Sequence, residues 1–414
     1  MTGSSTSPGS FFDEYGVEKE DIRIGNSAVP FGLIRVSNPT VGVGGAYGTW
    51  GESCDNARLP AVIQHQLGQP LPESDLMELD QLGFLNRHLT PELSEPEHVE
   101  LEIEVGARLL RRAAAANGWD PAEVDAILIG VSIPIIPDYV DQIALRAGIS
   151  ASALKVTVHK ACDGSVGSLH LALNPTLAAP GQLNIAETLY GKKVLLGGIE
   201  GLTRGLRFSR DKNALQLFGN GAGVIGVVPG KTMKFLTGKS HEVFDEDGVL
   251  ALHMYYPHSG RREPGRSLVE VSQNGQSIRV AGLMHEPEDG ASIAMAGPMG
   301  MVKLFVRSGV QVVSDVYQAY QALMQRLGET PRIAVAIVHH ANYKINKLKE
   351  KQLANLGIKF PMPWLLSEFG NVSAASNMIA FLRQLPKLKT GDHVLIDGFG
   401  AGTYYDVLAI EMGA

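Results

Sequence analysis

The sequence predicts an α/β fold made of two similar halves, and three observations predict it. Strand-like and helix-like stretches alternate from about Glu100 to the C-terminus. A Phe-Gly…Gly-Ala-Gly turn that runs into a strand occurs twice, as FGNGAGVIGVV at 218–228 and GFGAGTYYDVLAI at 398–410. The chain has 414 residues, 44% of them hydrophobic and 19% charged, enough to bury two such units. The expected division is 1–230, with an N-terminal arm over 1–30, and 231–414. Tandem halves would bring equivalent loops together at a pseudo-twofold axis, so residues from both could meet in one site.

In order along the chain, ELEIEVGARLLRRAAAA at 100–116 has apolar residues at helical spacing and strong helix formers. In DPAEVDAILIGV, Asp120 caps, Pro121 suits a first helical turn and Glu123 completes a capping box. A buried strand follows at 126–131. Strand 155–158 leads into Cys162, helix 165–173 follows, and strands are expected at 192–197 and after the glycine turn at 218–221. The second half predicts a helix over 302–327, a strand over 332–338, a lysine-rich helix over 343–356 and a helix over 373–384. Leu385-Pro386 stops the last of these, and two strands around a glycine turn close the chain. This alternation predicts a mostly parallel sheet covered on both faces. The first ten residues, rich in Ser, Thr and Gly, read as disordered or as part of the arm. VGVGGAYGTWGESC at 41–54 reads as insertion-like, and the residues leave open whether it is a surface loop or part of a substrate channel.

Composition narrows the function. A net charge of −7 argues against a generic nucleic-acid binder. Two cysteines, Cys54 and Cys162, make no disulfide framework. No apolar run is long enough to span a bilayer, and the N-terminus lacks a signal-peptide pattern. A soluble cytoplasmic protein is expected. Gly221, Gly223 and Gly226 fit GxGxxG, but GVIGVVPGK continues as a strand where a dinucleotide site needs a helix. GSVGS is not GxSxG, and neither HExxH nor CxxC occurs, so no metal is expected. The lysines at 344, 347, 349 and 351 read as a solvated helix face unless a partner docks there.

The chemistry gathers around HKACDGSVGSLHLAL. Cys162 follows a strand and precedes a helix, whose N-terminus favours a thiolate. Such a thiolate is a strong nucleophile toward acyl groups; a small buried filler is the plain alternative. VHHAN sets His339 and His340 at the end of a buried strand, where parallel sheets form sites. GNVSAAS offers Asn371 in a glycine-led turn.

Together these segments resemble the β-ketoacyl-acyl-carrier-protein synthase III family of the thiolase-like superfamily. ACDGSVGSLHLAL resembles its nucleophile segment, VHHAN its histidine motif and GNVSAAS its asparagine motif. FGNGAG and GFGAG resemble its two glycine turns, and LGFLNRH an upstream segment. The resemblance runs from about Leu82 to the C-terminus. It implies a thiolase-like fold of two duplicated α/β halves in an α-β-α-β-α layering, and a homodimer. It further implies Claisen condensation of acyl thioesters through an acyl group on Cys162. The backbone N–H groups of Cys162 and Ala401 would form an oxyanion hole. His339 and Asn371 would hold the second thioester's carbonyl as an enolate; His340 is the second choice. No cofactor is implied, since substrates arrive on the phosphopantetheine of an acyl carrier protein or on CoA.

Three departures and one further match shape the expectation. Asp163 stands where a small neutral residue is usual and would oppose thiolate formation unless it points away or pairs with Lys160. SDLMELDQ lacks the Trp and Arg that grip a nucleotide, although Arg204 matches another nucleotide-side arginine. Lys344 and Lys351 match basic positions that dock an acidic carrier protein. Ile136 stands where a bulky aromatic is common, which suggests a roomier acyl pocket. A polyketide or other secondary-metabolite role fits these departures better than fatty-acid initiation. Acyl transfer to an alcohol or amine, or a non-catalytic partner subunit, are the alternatives.

Overall fold

The computed structural model describes residues 9–132, 136, 138–178, 183–242, 252–254, 269–282, 293–295, 302–401 and 403–413. Among these the strands are β1 (Glu18–Ile24), β2 (Ser27–Asn38), β3 (Val43–Trp50), β4 (Glu52–Asp55), β5 (Asn86–Leu89), β6 (Ala126–Gly130), β7 (Leu154–His159), β8 (Val194–Glu200), β9 (Gly221–Val227), β10 (Met233–Glu242), β11 (Leu252–Met254), β12 (Val269–Asn274), β13 (Ser277–Gly282), β14 (Ile293–Met295), β15 (Ile333–Val338), β16 (His393–Asp397) and β17 (Tyr404–Met412). The helices are α1 (Leu59–Leu67), α2 (Glu95–Ala116), α3 (Tyr139–Ala147), α4 (Gly164–Leu173), α5 (Ile185–Leu189), α6 (Leu202–Leu206), α7 (Lys212–Leu217), α8 (Gly309–Leu327), α9 (Tyr343–Asn355) and α10 (Ser376–Gln384).

Nine described strands form one sheet in the order β1-β2-β3-β9-β8-β6-β7-β13-β12, and four form a second in the order β10-β17-β16-β15. Helices α4 and α10 lie between the sheets: α4 packs on β6, β7 and β8 and on β17, and α10 on β3 and β9 and on β15. Helices α2 and α3 cover the outer face of the large sheet, and α8 covers the outer face of the small one. The result is the five-layer α-β-α-β-α stack. Each sheet repeats one motif, two parallel strands followed by an antiparallel third: β6-β8-β9 in one and β15-β16-β17 in the other.

Several expectations need correction. The large sheet is mixed rather than mostly parallel, because only β8-β6, β6-β7 and β7-β13 run parallel. The antiparallel share comes mainly from the first fifty residues, where β1, β2 and β3 follow one another along the chain and pair as an antiparallel meander that ends on β9. The stretch at 41–54 is neither loop nor channel: its centre is β3, buried at every residue and hydrogen-bonded between β2 and β9. Residues 9–30 are not an arm. Phe11 is fully buried against Tyr47 and Phe369, and β1 pairs along its length with β2. Hairpin β12-β13, although C-terminal to residue 230, joins the large sheet at β7. The Asp120 capping box is present but starts only a 3-10 turn, Pro121–Glu123. Helix 302–327 begins as a π-helical turn, Val302–Ser308, and becomes α-helical at Gly309.

One close approach positions the site. A Cβ at Gly130 would overlap the Gly164 carbonyl carbon and the Ser165 nitrogen, so glycine at the end of β6 lets the first turn of α4 lie directly on the strand.

Candidate active site

The nucleophile turn is strained. Ala161 has φ +49°, outside the usual range for a residue with a side chain, and it presents Cys162 at the head of α4. Cys162 is 6% exposed. Burial pushes its thiol up to about 12, with the Glu200 and Asp163 carboxyls acting in the same direction. Burial thus opposes the thiolate that a helix N-terminus favours.

Asp163 turns away from the sulfur. Its carboxyl reaches toward Gly398 and stands 3.5 Å from Lys160 Nζ. Lys160 also pairs with Asp406, whose other oxygen bonds His170 Nδ1 at 2.7 Å. All four groups are buried. Thr176 N and Oγ1 donate to Asn174 Oδ1, which turns Asn174 Nδ2 toward His170 Nε2 at 2.9 Å. His170 is therefore the Nδ1–H tautomer and donates to Asp406. Burial and the Asp406 charge hold Asp163 well above the usual carboxylate range. Burial would raise Asp406 too, but Lys160 and His170 hold it well below. Of the two carboxyls, Asp163 is thus the one that binds a proton more readily.

The C-terminal motifs come to the same place. Ser373 Oγ donates to Cys162 Sγ at 3.0 Å. Ser373 has φ +45°, and its N–H donates to Asn371 Oδ1 at 2.9 Å. That bond fixes the Asn371 amide and leaves Nδ2 as the end that can donate to a ligand. Asn371 N bonds Leu217 O at 2.8 Å, and Gly219 N bonds Asn371 O at 3.2 Å, tying the asparagine turn to the first glycine turn. The second glycine turn abuts the nucleophile, since Gly400 lies against Lys160 O and Asp163 N. Ala401 shares one apolar cluster with Ala161 and Phe218.

His339 ends β15. Its N–H donates to Asp397 O at 2.9 Å, and Asn346 Nδ2 donates to its carbonyl at 3.1 Å. Its ring lies 6.5 Å from Phe399 and 6.4 Å from Phe305, centre to centre, so it borders the GFGAG turn, whose Gly400 lies against Lys160 and Asp163 on either side of the nucleophile. Burial, then His340 and Lys349, push it down to about 3, which keeps the imidazole neutral. Hydrogen bonds distinguish the two histidines. His340 spends both nitrogens on the backbone, Nδ1 on Val338 O at 2.8 Å and Nε2 on Leu365 N at 3.0 Å. His339 makes no such commitment. Glu200, at the end of β8, accepts from Ala374 N at 3.1 Å and is pushed up to about 8 by burial. Sequence reading missed Glu200 and Ser373. The serine stood inside the quoted GNVSAAS motif, whereas nothing local marks the glutamate.

Comparison with known proteins places this geometry. The family model described as 3-oxoacyl-[acyl-carrier-protein] synthase III, C terminal, matches residues 325–412. β-Ketoacyl-[acyl-carrier-protein] synthase III 2 of Lactiplantibacillus plantarum is 26% identical over 360 residues, covering 84% of this chain and 94% of that protein. The chain is similar to the β-ketoacyl-acyl-carrier-protein synthases III over most of its length, and its fold is thiolase-like. Among solved structures, the 3-oxoacyl-[acyl-carrier-protein] synthase III of Aquifex aeolicus superposes with a TM-score of 0.59 at 17% identity, over 87% of this chain and 96% of that one. The C-terminal type III polyketide synthase domain of Steely1 from Dictyostelium does so with 0.60 at 16%, over 92% and 99%.

In this synthase III-like chain the outer residues fall out differently. Arg204 is no free nucleotide grip. Its side chain is 5% exposed, with Nε 2.9 Å from Glu102 and Nη1 3.0 Å from Glu95, so it fastens α6 to α2. Lys344 is exposed and bonds Gln81 at 2.6 Å. Lys351 lines a surface cavity of about 400 Å³ with Lys347, Lys359 and Phe360. Ile136 is half-buried against the core of the N-terminal half; its neighbours 133–135 and 137 lie outside the described residues. Lys349 is fully buried, so the lysine run is not one solvated face. No described helix is long and apolar enough to cross a membrane.

Proposed function

We propose that this protein condenses two acyl thioesters by Claisen chemistry, with Cys162 as the acyl carrier. The observation that supports this most is the meeting of Cys162, the Asn371–Ser373 turn and the 399–401 turn at one buried point between the two halves. The Cys162 sulfur attacks the first thioester's carbonyl, the carrier thiol leaves with the proton, and the acyl group stays on sulfur. Backbone N–H groups of Cys162 and Ala401 hold the oxyanion. The second thioester's carbonyl then takes hydrogen bonds from His339 Nε2 and Asn371 Nδ2. As a malonyl unit loses carbon dioxide, negative charge moves onto that oxygen. The resulting carbon attacks the acyl group and expels the Cys162 thiolate. A neutral His339 suits this step, because it donates without carrying a charge of its own.

Carrier-protein-bound substrates are favoured over CoA, because Arg204 is committed to Glu102 and Glu95 while Lys344, Lys347 and Lys351 lie on α9. A homodimer and a polyketide-type pathway belong to the same reading. Intact-protein mass after incubation with acyl-carrier thioesters tests it: an acyl adduct on Cys162, absent in C162A, is expected. Addition of a malonyl thioester should release a β-ketoacyl product. No adduct on Cys162 with acyl chains of any length would sink the proposal. Replacing Lys344 and Lys351 by Glu should raise KM for carrier-bound substrates and leave KM for short pantetheine thioesters unchanged.

A further inference from the structure

Helix α9 has an inner face that the lysine-rich sequence hides. Asn346, Lys349 and Leu353 recur at helical spacing, and the last two are buried. Asn346 holds the His339 carbonyl. One turn on, Lys349 Nζ lies 2.5 Å from Asp397 Oδ2, with both side chains at or below 1% exposure. Asp397 is the same residue whose carbonyl receives the His339 N–H, and Asn377 Nδ2 donates to that carbonyl at 3.1 Å. The Lys349 ammonium also stands 4.6 Å from the centre of the Phe305 ring, which itself borders His339. The ion pair is thus one aromatic ring away from the imidazole.

His339 lacks the usual means of fixing its tautomer. Its Nδ1 is buried with no hydrogen-bond partner among the described residues, so no acceptor anchors a proton there. A charge can do the same work. A cation on the buried side of an imidazole attracts the lone pair and drives the proton to the far nitrogen. Burying a lysine–aspartate pair is expensive, and an apolar pair of similar volume is often as stable. The pair therefore calls for an explanation other than stability.

We propose that Lys349 and Asp397 are positioning residues for His339: they clamp α9 to β16 and set a positive charge behind the imidazole, so that Nδ1 keeps its lone pair and Nε2 carries the proton offered to the substrate carbonyl. The inference rests on the role given to His339 above, but its test does not need turnover. The downward push on His339 from Lys349 agrees in sign with this arrangement.

The measurement is the pair of ring 15N chemical shifts of His339 at neutral pH in histidine-labelled protein, assigned with H339Q. Wild type should show one tautomer, protonated on Nε2. K349M should show shifts averaged between the two tautomers, and about tenfold slower malonyl decarboxylation at unchanged KM. K349M/D397L removes both charges together and guards against loss of the fold; it should also show averaged shifts. Wild-type shifts retained in either folded variant, or mixed shifts in the wild type itself, would overturn the proposal. Failure of the condensing role would appear separately, as a wild-type protein whose Cys162 takes no acyl group while the 15N shifts still change in K349M.

Discussion

At the scale of single residues, the two adjacent histidines give the sharpest contrast. His339 Nδ1 has no hydrogen-bond partner among the described residues, whereas both nitrogens of His340 are bonded to backbone. H339Q should lose roughly 100- to 1000-fold in condensation, the usual effect of removing one oxyanion donor. H340Q should instead lose about 1–3 kcal/mol of stability, because it strands buried backbone groups. Enzyme assay and urea denaturation of the two variants separate the effects. The Cys162 thiol is held up to about 12 in the closed site. Its alkylation by a small reagent should therefore keep accelerating as pH rises from 7 to 10, without the plateau of an ordinary thiol. A plateau below pH 9, followed by peptide mapping, would show that the thiolate forms more readily than burial implies. Cys162, His339 and Asn371 could be picked out of the sequence because each sits in a short local pattern. Glu200, Lys349 and Asp397 could not, because their significance lies in what they face across the fold.

At the scale of elements, α4 depends on two local devices. The first is the close approach of Gly130 to Gly164. G130A should push the head of α4 off β6, and it should slow acylation of Cys162 more than it lowers the unfolding midpoint. Acyl-enzyme formation by mass spectrometry and a denaturation curve report the two quantities. The second is the Lys160–Asp406–His170 cluster, which pins α4 to β17. Removing one charge strands the other: D406N should cost about 3–5 kcal/mol, while K160M/D406L should recover most of that. Chemical denaturation checks both. The helices were readable from periodicity, and α2 (Glu95–Ala116), α9 and α10 fall close to the expected stretches. Strand β3 was not readable. Gly44, Gly45 and Gly48 break up its strand-favouring Val43, Tyr47, Thr49 and Trp50, and its place between β2 and β9 is what holds it as a strand.

At the scale of the whole molecule, buried titratable groups set how stability follows pH. His88 and His339 are pushed down to about 3, and His98 and His340 to about 4, by burial first in each case. Below about pH 6.5 the unfolded chain binds protons that these histidines refuse in the fold, so stability falls as the solution is acidified. Glu200 acts with the opposite sign. Its carboxyl is pushed up to about 8, so the folded state holds a proton that the unfolded chain has lost, and this contribution fades as pH rises through 8. The urea midpoint should therefore pass through a maximum between these limits and drop steeply from pH 6 to 4. A midpoint flat over that acid range would mean that the histidines titrate normally in the fold.

The sequence by itself determined the repeated α/β unit, the identity of the sulfur, imidazole and carboxamide groups, and the resemblance they carry. Local chemistry suffices for these, since helix periodicity, glycine turns and short motifs are written in neighbouring residues. The tertiary structure alone decided which of the two histidines spends its ring on the backbone, which of Asp163 and Asp406 binds a proton more readily, and that Arg204 and Lys349 are spent inside the protein. Those outcomes depend on desolvation and on partners far away along the chain, and charge in a folded protein is governed by what surrounds it in space.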